Sequence, residues 1–455
     1  MARSQRRGVV PPFLLDRIAR ATGPGSAPRA ARATLNAQEP GRRAAIEASG
    51  SRQQRVFAAE PNGGLERAVY DGHEHEQLPG SLARSEGEPA TGDAAVDEAY
   101  SGLGDTYRLF DEAFSRSSID GQGMPLHATV HYGNDYDNAF WNGTQMVFGD
   151  GDGEVFRRFT ISLSVIGHEL THGVTGHTAA LRYVGQSGAL SESVSDVFGC
   201  LVEQYSRQET SDGASWLVGE GLFTDQVRGT ALRSLKAPGT AYDDDVLGKD
   251  PQPATMTDYV ETDDDDGGVH INSGIPNHAF YLLATTLGGH AWEVAGRIWY
   301  DALTHGTLAH DATFAEFATA TIDSARALFG AETAAAVRDA WTSVEVTPEH
   351  SVPLEQDSSP RSIVVERSGG VAGVRRSWRA ELDERPEGAR LRTLIETVDW
   401  ARGLHVGEAG ADGFRYRIRC LTSSQTCVLE AQLAESELTT TWRELIERVR
   451  ESDSA

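Results

Sequence analysis

A His-Glu-x-x-His motif at residues 168–172 constrains this chain more than any other feature of its sequence. The motif lies in an apolar pattern of period three to four over residues 160–175, which predicts a helix. Because residues four apart share one helical face, His168 and His172 can reach the same metal ion. Glu169 points beside them, where it can take a proton from a water on zinc instead of ligating the metal. The motif is short enough to arise by chance, so the prediction needs a third ligand.

A second helical pattern, over residues 190–205, offers that ligand. Glu192 follows His172 by twenty residues, and Asp196 lies four positions further along the same helical face. The Asp196 carboxylate can accept a hydrogen bond from a ligating histidine and fix its tautomer. In isolation, both acids are typical of a solvated helix surface. Together with the first motif they predict a catalytic zinc site with one coordination position left open.

Length and charge exclude several classes of protein. The chain has 455 residues, which predicts two to four domains. Its net charge of −26 and pI near 4.9 argue against nucleic-acid binding, which needs a basic face. We expect no interaction with a membrane, since no apolar run is long enough to cross a bilayer. Pro11 and Pro12 interrupt the apolar stretch near the N-terminus, so we expect no Sec signal peptide and a location that is cytoplasmic or reached by non-classical export.

Three cysteines are too few to cross-link a chain of this size. Cys200 lies in an apolar helical stretch, which indicates a buried thiol. Cys420 and Cys427 could form a bridge or remain thiols, and the sequence leaves both open.

The periodic segments outline an α+β chain whose character changes near residue 350. Residues 1–55 are predicted to be a leader with a helix at 16–21, and residues 60–89 hairpins and loops. Further helices are predicted at 94–114, 160–175, 190–205, 275–287, 292–303, 314–329, 332–344, 391–401 and 440–451. Strands are predicted at 126–132, 138–148, 362–366, 374–382 and 414–421. Prolines at 348, 353 and 360 mark a linker over residues 348–361.

Two further motifs accompany the zinc ligands: Asn-Ala-Phe-Trp-Asn-Gly at 138–143 and Gly-Gly-Val-His-Ile-Asn-Ser-Gly-Ile-Pro-Asn at 267–277. Together these residues resemble the thermolysin family of zinc metallopeptidases, over about residues 56–347. The resemblance implies a two-lobed fold, with a β-rich N-terminal lobe over 56–185 and a helical C-terminal lobe over 186–347. It also implies that zinc lies in the cleft between the lobes.

The same resemblance implies roles for the neighbouring side chains. Asn138 would bind the substrate backbone through its side chain and Ala139 through its main chain, which is recognition by strand addition. His270, oriented by Asp265, and Tyr183 would donate to the oxyanion of the tetrahedral intermediate. Without the neighbouring motifs, Asn138 and Ala139 are more typical of an ordinary strand turn. A single His or Tyr, such as His270 or Tyr183, usually has a structural role.

On the side of the cleft beyond the scissile bond, the resemblance implies that Arg233 binds a substrate carbonyl; a surface ion pair is the alternative. The pocket for the residue just after the cleaved bond would be lined by six apolar residues, which could instead be ordinary core: Phe156, Phe159, Val165, Val218, Leu222 and Leu232. Burial of a Leu or Phe side chain there contributes about 1.5–3 kcal/mol. We therefore predict cleavage on the amino side of bulky hydrophobic residues, with a roughly ten- to hundredfold preference.

One departure from the family concerns calcium. Positions that carry carboxylates in calcium-rich members hold Ser164, Ser215 and Leu217 here, and only Glu203 and Glu220 remain. Loss of several oxygen ligands should abolish a tight double calcium site, although the sequence does not exclude calcium altogether.

That departure and the Pro-Pro-Phe-Leu-Leu sequence at 11–15 resemble the protealysin-like subgroup. The resemblance implies a short propeptide, residues 1–55, that occupies the cleft as an intramolecular inhibitor and is removed autocatalytically near residues 50–59. A disordered tail with a proline turn is the alternative.

Residues 362–373, Ser-Ile-Val-Val-Glu-Arg-Ser-Gly-Gly-Val-Ala-Gly, resemble the start of emfourin, a small protein inhibitor of protealysin-like peptidases. The implied domain, over 362–455, is a second intramolecular inhibitor or a generic accessory module. The predicted function is a zinc-dependent endopeptidase of peptide or protein substrates, made as a self-processing precursor. The alternatives are a regulatory protein whose site the C-terminal domain blocks permanently, and a zinc hydrolase of non-peptide substrates, which fits the edge strand poorly.

Overall fold

The computed structural model describes residues 8–21, 25–37, 64–305, 308–348, 361–369, 376–382, 385–398, 400, 414–421 and 427–453. The chain divides into two compact units, Met1–Glu349 and His350–Ala455. Both contain helices and a sheet, so the α+β class expected from the sequence is confirmed. None of the described helices is long and apolar enough to cross a membrane. The region in which propeptide cleavage is predicted, residues 50–59, lies outside the described residues.

A five-stranded mixed sheet forms the N-terminal part of the first unit. Its strands are β1 (Arg67–Asp71), β2 (Ser81–Ser85), β3 (Leu126–Val130), β4 (Ala139–Trp141) and β5 (Met146–Phe148), in the order β2-β1-β3-β5-β4. β3 runs parallel to β1 and to β5, whereas β2 and β4 pair antiparallel with their neighbours. The β4 strand therefore lies at an edge, where its outer hydrogen-bonding groups are available to a peptide.

The single strand predicted over residues 138–148 is wrong, because this segment is the hairpin formed by β4 and β5. Asn142 closes the turn: its side-chain oxygen accepts the backbone N–H groups of Thr144 and Gln145, both at 2.9 Å. Gly143 has a φ of 98°, a left-handed conformation that favours glycine. Apolar residues flank the turn on both sides, so hydrophobicity alone does not reveal it.

Helices dominate the rest of the first unit. Helices α1 and α2 belong to the leader and are described below. The first helix after them, α3 (Ala94–Arg108), is capped by Asp93 and continues into a π-helical turn. The others are α4 (Leu163–Gly176), α5 (Gly185–Arg207), α6 (Asp265–Asn272), α7 (Gly274–Leu287), α8 (Ala295–Thr304), α9 (Phe314–Phe329) and α10 (Ala331–Ser343). All six helices predicted between residues 160 and 344 are present, and α6 is an addition to them. Two-residue strands form two short pairs: β6 (Leu217–Val218) with β7 (Arg233–Ser234), and β8 (Asp243–Asp244) with β9 (Gly248–Lys249).

Helices α4 and α5 pack closely because glycines lie where they meet. A Cβ atom on Gly199 would lie 2.4 Å from the backbone oxygen of Ser164, and one on Gly167 would lie 3.0 Å from the Cα of Gly199. A larger residue at either position would push the helices apart. The contact brings the motif of residues 168–172 against the side of α5.

The described part of the leader contains two helices, α1 (Pro12–Arg20) and α2 (Ala27–Ala37). α1 begins four residues before the predicted helix, because Pro12 occupies the first helical position, where a missing N–H costs nothing. Leu14, Leu15 and Ile18 of α1 join the main apolar core. α2 is absent from the sequence prediction, since its buried face has only small residues: Ala27, Ala30, Ala31, Thr34 and Ala37.

The second unit is a four-stranded antiparallel sheet packed against two helices. Its elements are β10 (Ser362–Gly369), β11 (Arg376–Glu381), α11 (Pro386–Thr397), β12 (Phe414–Leu421), β13 (Cys427–Ala434) and α12 (Thr440–Asp453). The strand order is β11-β10-β12-β13, and β13 is absent from the sequence prediction. The core includes Ile363, Val365, Ile418 and Trp442. The Cys427 side chain, half of the bridge that the sequence leaves open, lies outside the described residues.

Candidate metal centre and peptide-binding cleft

The three predicted zinc ligands converge where α4 meets α5. The Nε2 atoms of His168 and His172 lie 3.1 Å apart, and carboxylate oxygens of Glu192 lie 3.5 Å and 3.3 Å from them. One ligand atom from each residue falls within 4.8 Å of the other two. Glu192 Oε2 is buried without a hydrogen-bond partner, as expected of an atom that a metal would bind. Two imidazoles and one carboxylate suit zinc and leave a coordination position open.

The charges around Glu192 also favour a cation. Burial raises the pKa of Glu192, but His270, His172 and His168 outweigh burial and hold that pKa well below the usual carboxyl range. Glu192 is therefore ionised at neutral pH. Burial of an ionised carboxylate is costly without a positive partner, and a divalent metal held by these ligands would supply one.

Asp196 lies behind the ligands and joins three side chains. Its Oδ1 lies 2.8 Å from His168 Nδ1, although the angle departs from that of an ideal hydrogen bond. Because Nδ1 faces Asp196, the other ring nitrogen of His168, Nε2, faces the other ligands. Arg233 donates to Asp196 from Nε and Nη2, both at 2.8 Å, and Asn277 Nδ2 donates at 2.9 Å. Burial raises the pKa of Asp196, but Arg233 and His168 lower it to about 2. Asp196 therefore remains ionised at neutral pH.

Glu169 lies beside the ligands without joining them. Its Oε2 accepts the backbone N–H of Trp141 at 3.0 Å, whereas its Oε1 is buried and has no partner. A carboxylate held by one oxygen, with the other free, has the arrangement that a general base requires. His172 Nδ1 lies 3.2 Å from Ser195 Oγ, so that its Nε2, like that of His168, faces the ligand site.

Tyr183 and His270 flank Glu192. The Tyr183 hydroxyl donates to Glu192 Oε1 and lies 3.3 Å from His270 Nε2. Asp265 accepts the backbone N–H of His270 at 2.8 Å and lies 2.7 Å from its Nδ1, which turns Nε2 toward the site. Burial lowers the pKa of His270, but Glu192 and Asp265 outweigh burial and raise it to about 9. Two hydrogen-bond donors are thus fixed beside the open position.

The residues expected to bind substrate backbone contact the leader. Val9 N–H donates to the backbone oxygen of Ala139 at 3.2 Å, and Arg233 Nη1 donates to the Val9 oxygen at 2.9 Å. Asn138 accepts the Val10 N–H at 2.9 Å and donates to the Val10 oxygen at 3.1 Å. The backbone of the leader therefore lies against β4 and uses hydrogen bonds that an extended substrate would need.

All six residues of the predicted specificity pocket are buried in the core of the first unit, and Val9 of the leader is buried in the same apolar cluster. The rings of Phe156 and Phe159 lie 5.6 Å apart. Leu232 N–H donates to the Val218 backbone oxygen at 2.9 Å, which joins two walls of the pocket. The arrangement offers an apolar environment to a side chain placed as Val9 is.

The positions where calcium ligands were expected to be lost make protein contacts. Ser164 Oγ accepts the Gly219 N–H at 3.1 Å. Glu203 pairs with Arg207 at 2.6 Å, so a guanidinium lies where a cation would otherwise neutralise this carboxylate. Cys200, on the same helix, is a buried thiol, as predicted. Within the described part of the chain, His168, His172 and Glu192 form the one group of three metal-ligating side chains that is close enough to share an ion.

Four contacts at the site involve residues that sequence reasoning did not select. Ser195 orients His172 and Asn277 holds Asp196. Both lie within motifs already recognised, which is a signal that could have found them. Glu154 caps α2 by accepting the N–H groups of Ser26 and Ala27 at 2.9 and 3.2 Å, and Thr34 of α2 accepts the Asp137 N–H at 2.9 Å. Nothing in the local sequence indicates these contacts, since they join segments more than one hundred residues apart.

Comparisons with known proteins agree with this geometry. Family models match residues 47–176 as the thermolysin metallopeptidase catalytic domain, 179–346 as its alpha-helical domain and 365–450 as emfourin. An extracellular metalloprotease of Pectobacterium carotovorum subsp. carotovorum is 51% identical over 338 residues, covering 74% of this chain and 96% of that protein. Thermolysin of Alicyclobacillus acidocaldarius is 40% identical over 272 residues, which cover 58% of this chain and 47% of that protein. The solved precursor of protealysin, a metalloproteinase from Serratia proteamaculans, matches with a TM-score of 0.69 and 50% identity, covering 75% of this chain and all of that one. The chain therefore belongs to the thermolysin family of zinc-dependent metallopeptidases and carries an emfourin domain at its C-terminal end.

Proposed function

We propose that Glu169 is the general base of a zinc-dependent endopeptidase. It takes a proton from the attacking water and later returns it to the leaving amine. Zinc, when held by its three ligands, acts as a Lewis acid and lowers the pKa of water toward neutrality. The observation that carries the proposal is the free, buried Oε1 of Glu169, fixed beside the ligands by the Trp141 N–H.

Tyr183 and His270 complete the proposed catalytic group as donors to the developing oxyanion. Donors that are already oriented need no reorganisation when the charge forms, which makes them effective in a site without bulk water. Support comes from Asp265, which fixes the ring of His270, and from the position of the Tyr183 hydroxyl, 3.3 Å from His270 Nε2.

We propose that substrates bind to β4 as extended strands and are cut on the amino side of bulky hydrophobic residues. The leader supports this view, because its Val9 and Val10 engage Ala139, Asn138 and Arg233 through backbone groups alone. Backbone recognition demands little of the sequence, so selectivity falls to the apolar pocket.

The leader is proposed to act as an intramolecular inhibitor until the enzyme removes it. While Val9 and Val10 occupy the backbone partners of β4, a substrate cannot use them. The leader is also anchored outside the cleft, through α1 in the core and through Glu154 at the start of α2. Cleavage of the connection near residues 50–59 would make the leader a separate, dissociable ligand.

The emfourin domain is proposed to be a second inhibitor, acting on its own chain or on another copy. The alternative, a regulatory protein with a permanently blocked site, makes a different prediction about activity. We expect the purified full-length chain and a version ending near residue 347 both to cleave peptide libraries before Leu, Phe and similar residues, with faster casein hydrolysis by the shorter version. Activity confined to the shorter version would favour the alternative, and equal rates would remove the inhibitory role.

We propose that no tight double calcium site stabilises this enzyme. Ser164, which replaces a carboxylate, binds the Gly219 N–H, and the Glu203 carboxylate is paired with Arg207, so several oxygen ligands of a calcium site are missing or already used. We expect millimolar calcium, compared with a calcium-selective chelator, to leave the midpoint of thermal unfolding unchanged. An increase of several degrees would contradict this expectation, since tight binding to the folded state alone raises that midpoint.

A further inference from the structure

Two carboxyl groups with buried, unpaired oxygens lie beside β4, the strand that contacts the leader. Asp137, immediately before Asn138, is 0% exposed, and neither of its carboxylate oxygens makes a hydrogen bond of ordinary geometry. Asp152 Oδ2 is likewise buried without a partner. The other oxygen of Asp152 is fully used, because it accepts the N–H groups of Glu154, Val155 and Phe156 at 2.9, 2.7 and 3.0 Å. An unsatisfied pair of this kind requires an explanation.

Two backbone hydrogen bonds hold the turn that contains Asp152 against the segment that contains Asp137. Gly149 N–H donates to the Asn138 oxygen at 3.0 Å, and Gly151 N–H donates to the Tyr136 oxygen at 3.2 Å. A Cβ on Gly149 would lie only 1.9 Å from that Tyr136 oxygen, so glycine is needed for this approach. The backbone is thus clamped on both sides of Asp137.

Two ionised carboxylates in such a place would be costly. Burial raises the pKa of Asp137 well above its usual range, the charge of Asp152 raises it further, and the backbone N–H of Asp152 offsets part of this. Adjacent buried carboxyl groups commonly bind one proton between them, because one charge is tolerated and two are not. A proton on Asp137 would give Asp152 Oδ2 the donor that it lacks.

In the leader, Arg233 binds Val9 and Asn138 binds Val10, so a substrate in the same register would place its second residue after the cleaved bond at Asn138. We propose that Asp137 shares a proton with Asp152, and that this proton positions Asn138 for binding that residue. The inference rests on the proposed role of Asn138 in substrate binding. Asp137 touches no substrate atom and acts through its neighbour, so it is a positioning residue. If Asp137 ionises, the segment can relieve the second charge only by moving the carboxylate toward water, and Asn138 moves with it.

The direction of the pH effect follows from the burial of Asp137. A peptide on β4 stabilises the neutral form, so binding is strongest below the pKa of Asp137 in the free enzyme. It weakens as pH rises through the higher pKa of the bound enzyme. From the leader, the Thr34 hydroxyl accepts the backbone N–H of Asp137, and this side chain carries no charge that would change the pH dependence.

Other titratable groups surround the pair and must be separated from it. Asp135 and Glu154 lie on the same two segments. His131, which pairs with Asp150 at 2.8 Å and with Asp93 at 3.1 Å, is the neighbour that titrates in the alkaline range. The hydrogen bond to Asp150 raises the pKa of His131 to about 9. Variants of Asp137 isolate its contribution, because they leave the His131 cluster unchanged.

The test measures kcat and KM of the self-processed enzyme between pH 5 and pH 9. One substrate has two residues after the scissile bond, and the other has a single amidated residue there. For the longer substrate we expect the wild-type KM to rise roughly tenfold with pH, the size expected for about one lost hydrogen bond. Asp137→Asn should keep KM low throughout, since its amide is neutral and can donate to Asp152. Asp137→Ala should have a raised KM at every pH, with kcat changed less than about twofold, because only binding is affected.

Controls distinguish this inference from the function on which it rests. Asp135→Asn removes a charge two positions away that helps to raise the pKa of Asp137, so it should keep a rise in KM of the same size, displaced to lower pH. The shorter substrate should show no rise in any variant. If Asn138→Ala leaves KM for the longer substrate unchanged, the proposed binding role of β4 fails. If Asn138→Ala raises KM but Asp137→Asn keeps the wild-type pH dependence, or if the wild-type KM does not change with pH, the shared proton is refuted.

Discussion

Replacing Glu169 with glutamine is expected to lower kcat by roughly 10²–10⁴-fold while zinc remains bound. The amide keeps the shape of the side chain and can keep its place beside the Trp141 N–H, but it cannot accept a proton. Because Glu169 is not a ligand, the metal content measured on the purified variant should equal that of the wild type. The same variant should retain its leader, so mass spectrometry after incubation should find the uncut chain.

Two comparisons make this result specific. Glu220→Gln removes an exposed carboxylate outside the site and should hydrolyse casein and shorten itself as the wild type does. An identical cut in the Glu169 variant would show that another protease removes the leader. Normal turnover by that variant would show that a different group acts as the base.

Glu192→Gln is expected to remove both zinc and activity. The substitution leaves two imidazoles and an amide as ligands, and it removes the carboxylate charge that His270, His172 and His168 stabilise. Zinc affinity should fall by more than the roughly 10–100-fold that changes in outer contacts to a ligand usually cost. Metal analysis of enzyme purified without chelators should find about one zinc per wild-type chain and much less in the variant.

Ser195→Ala is the matched control for this loss. It removes an outer contact to His172, at 3.2 Å, and leaves all three ligands in place. We expect its zinc affinity to fall by no more than roughly tenfold, at the lower end of such effects. Full zinc content and normal turnover in Glu192→Gln would remove the metal centre from this account, whereas equal losses in both variants would indicate a general disturbance of α5.

The hydrophobic period of the sequence predicts the helices that carry the site. Residues 160–175 and 190–205 each repeat apolar positions every three to four residues, and both helices form there, as α4 and α5. Spacing within a helix is local information, so the pairing of His168 with His172 could be predicted without knowledge of the fold. The sequence does not predict α2, whose buried face is alanine and threonine, or the turn at Asn142, which depends on side-chain hydrogen bonds within an apolar segment.

Contacts between distant segments could not be predicted in the same way. Arg233 was expected to bind a substrate carbonyl, yet its fork of hydrogen bonds to Asp196 depends on a buried approach of β7 to α5. The caps that Glu154 provides for α2, and the clamp around Asp137, likewise join segments that share no periodicity. Such contacts exist only once the chain is folded, because each needs two backbones held at a defined distance.

The sequence by itself indicated the candidate ligands, the candidate base and the family, because each depends on residue types at characteristic spacings along two helices. Tertiary structure alone decided which atoms face one another: the free oxygen of Glu169, the leader backbone on β4 and the unpaired carboxylate oxygens of Asp137 and Asp152. The physical reason is burial. Whether a carboxyl group is a solvated charge, a metal ligand or a neutral acid depends on what excludes water from it, and that is a property of the packed chain.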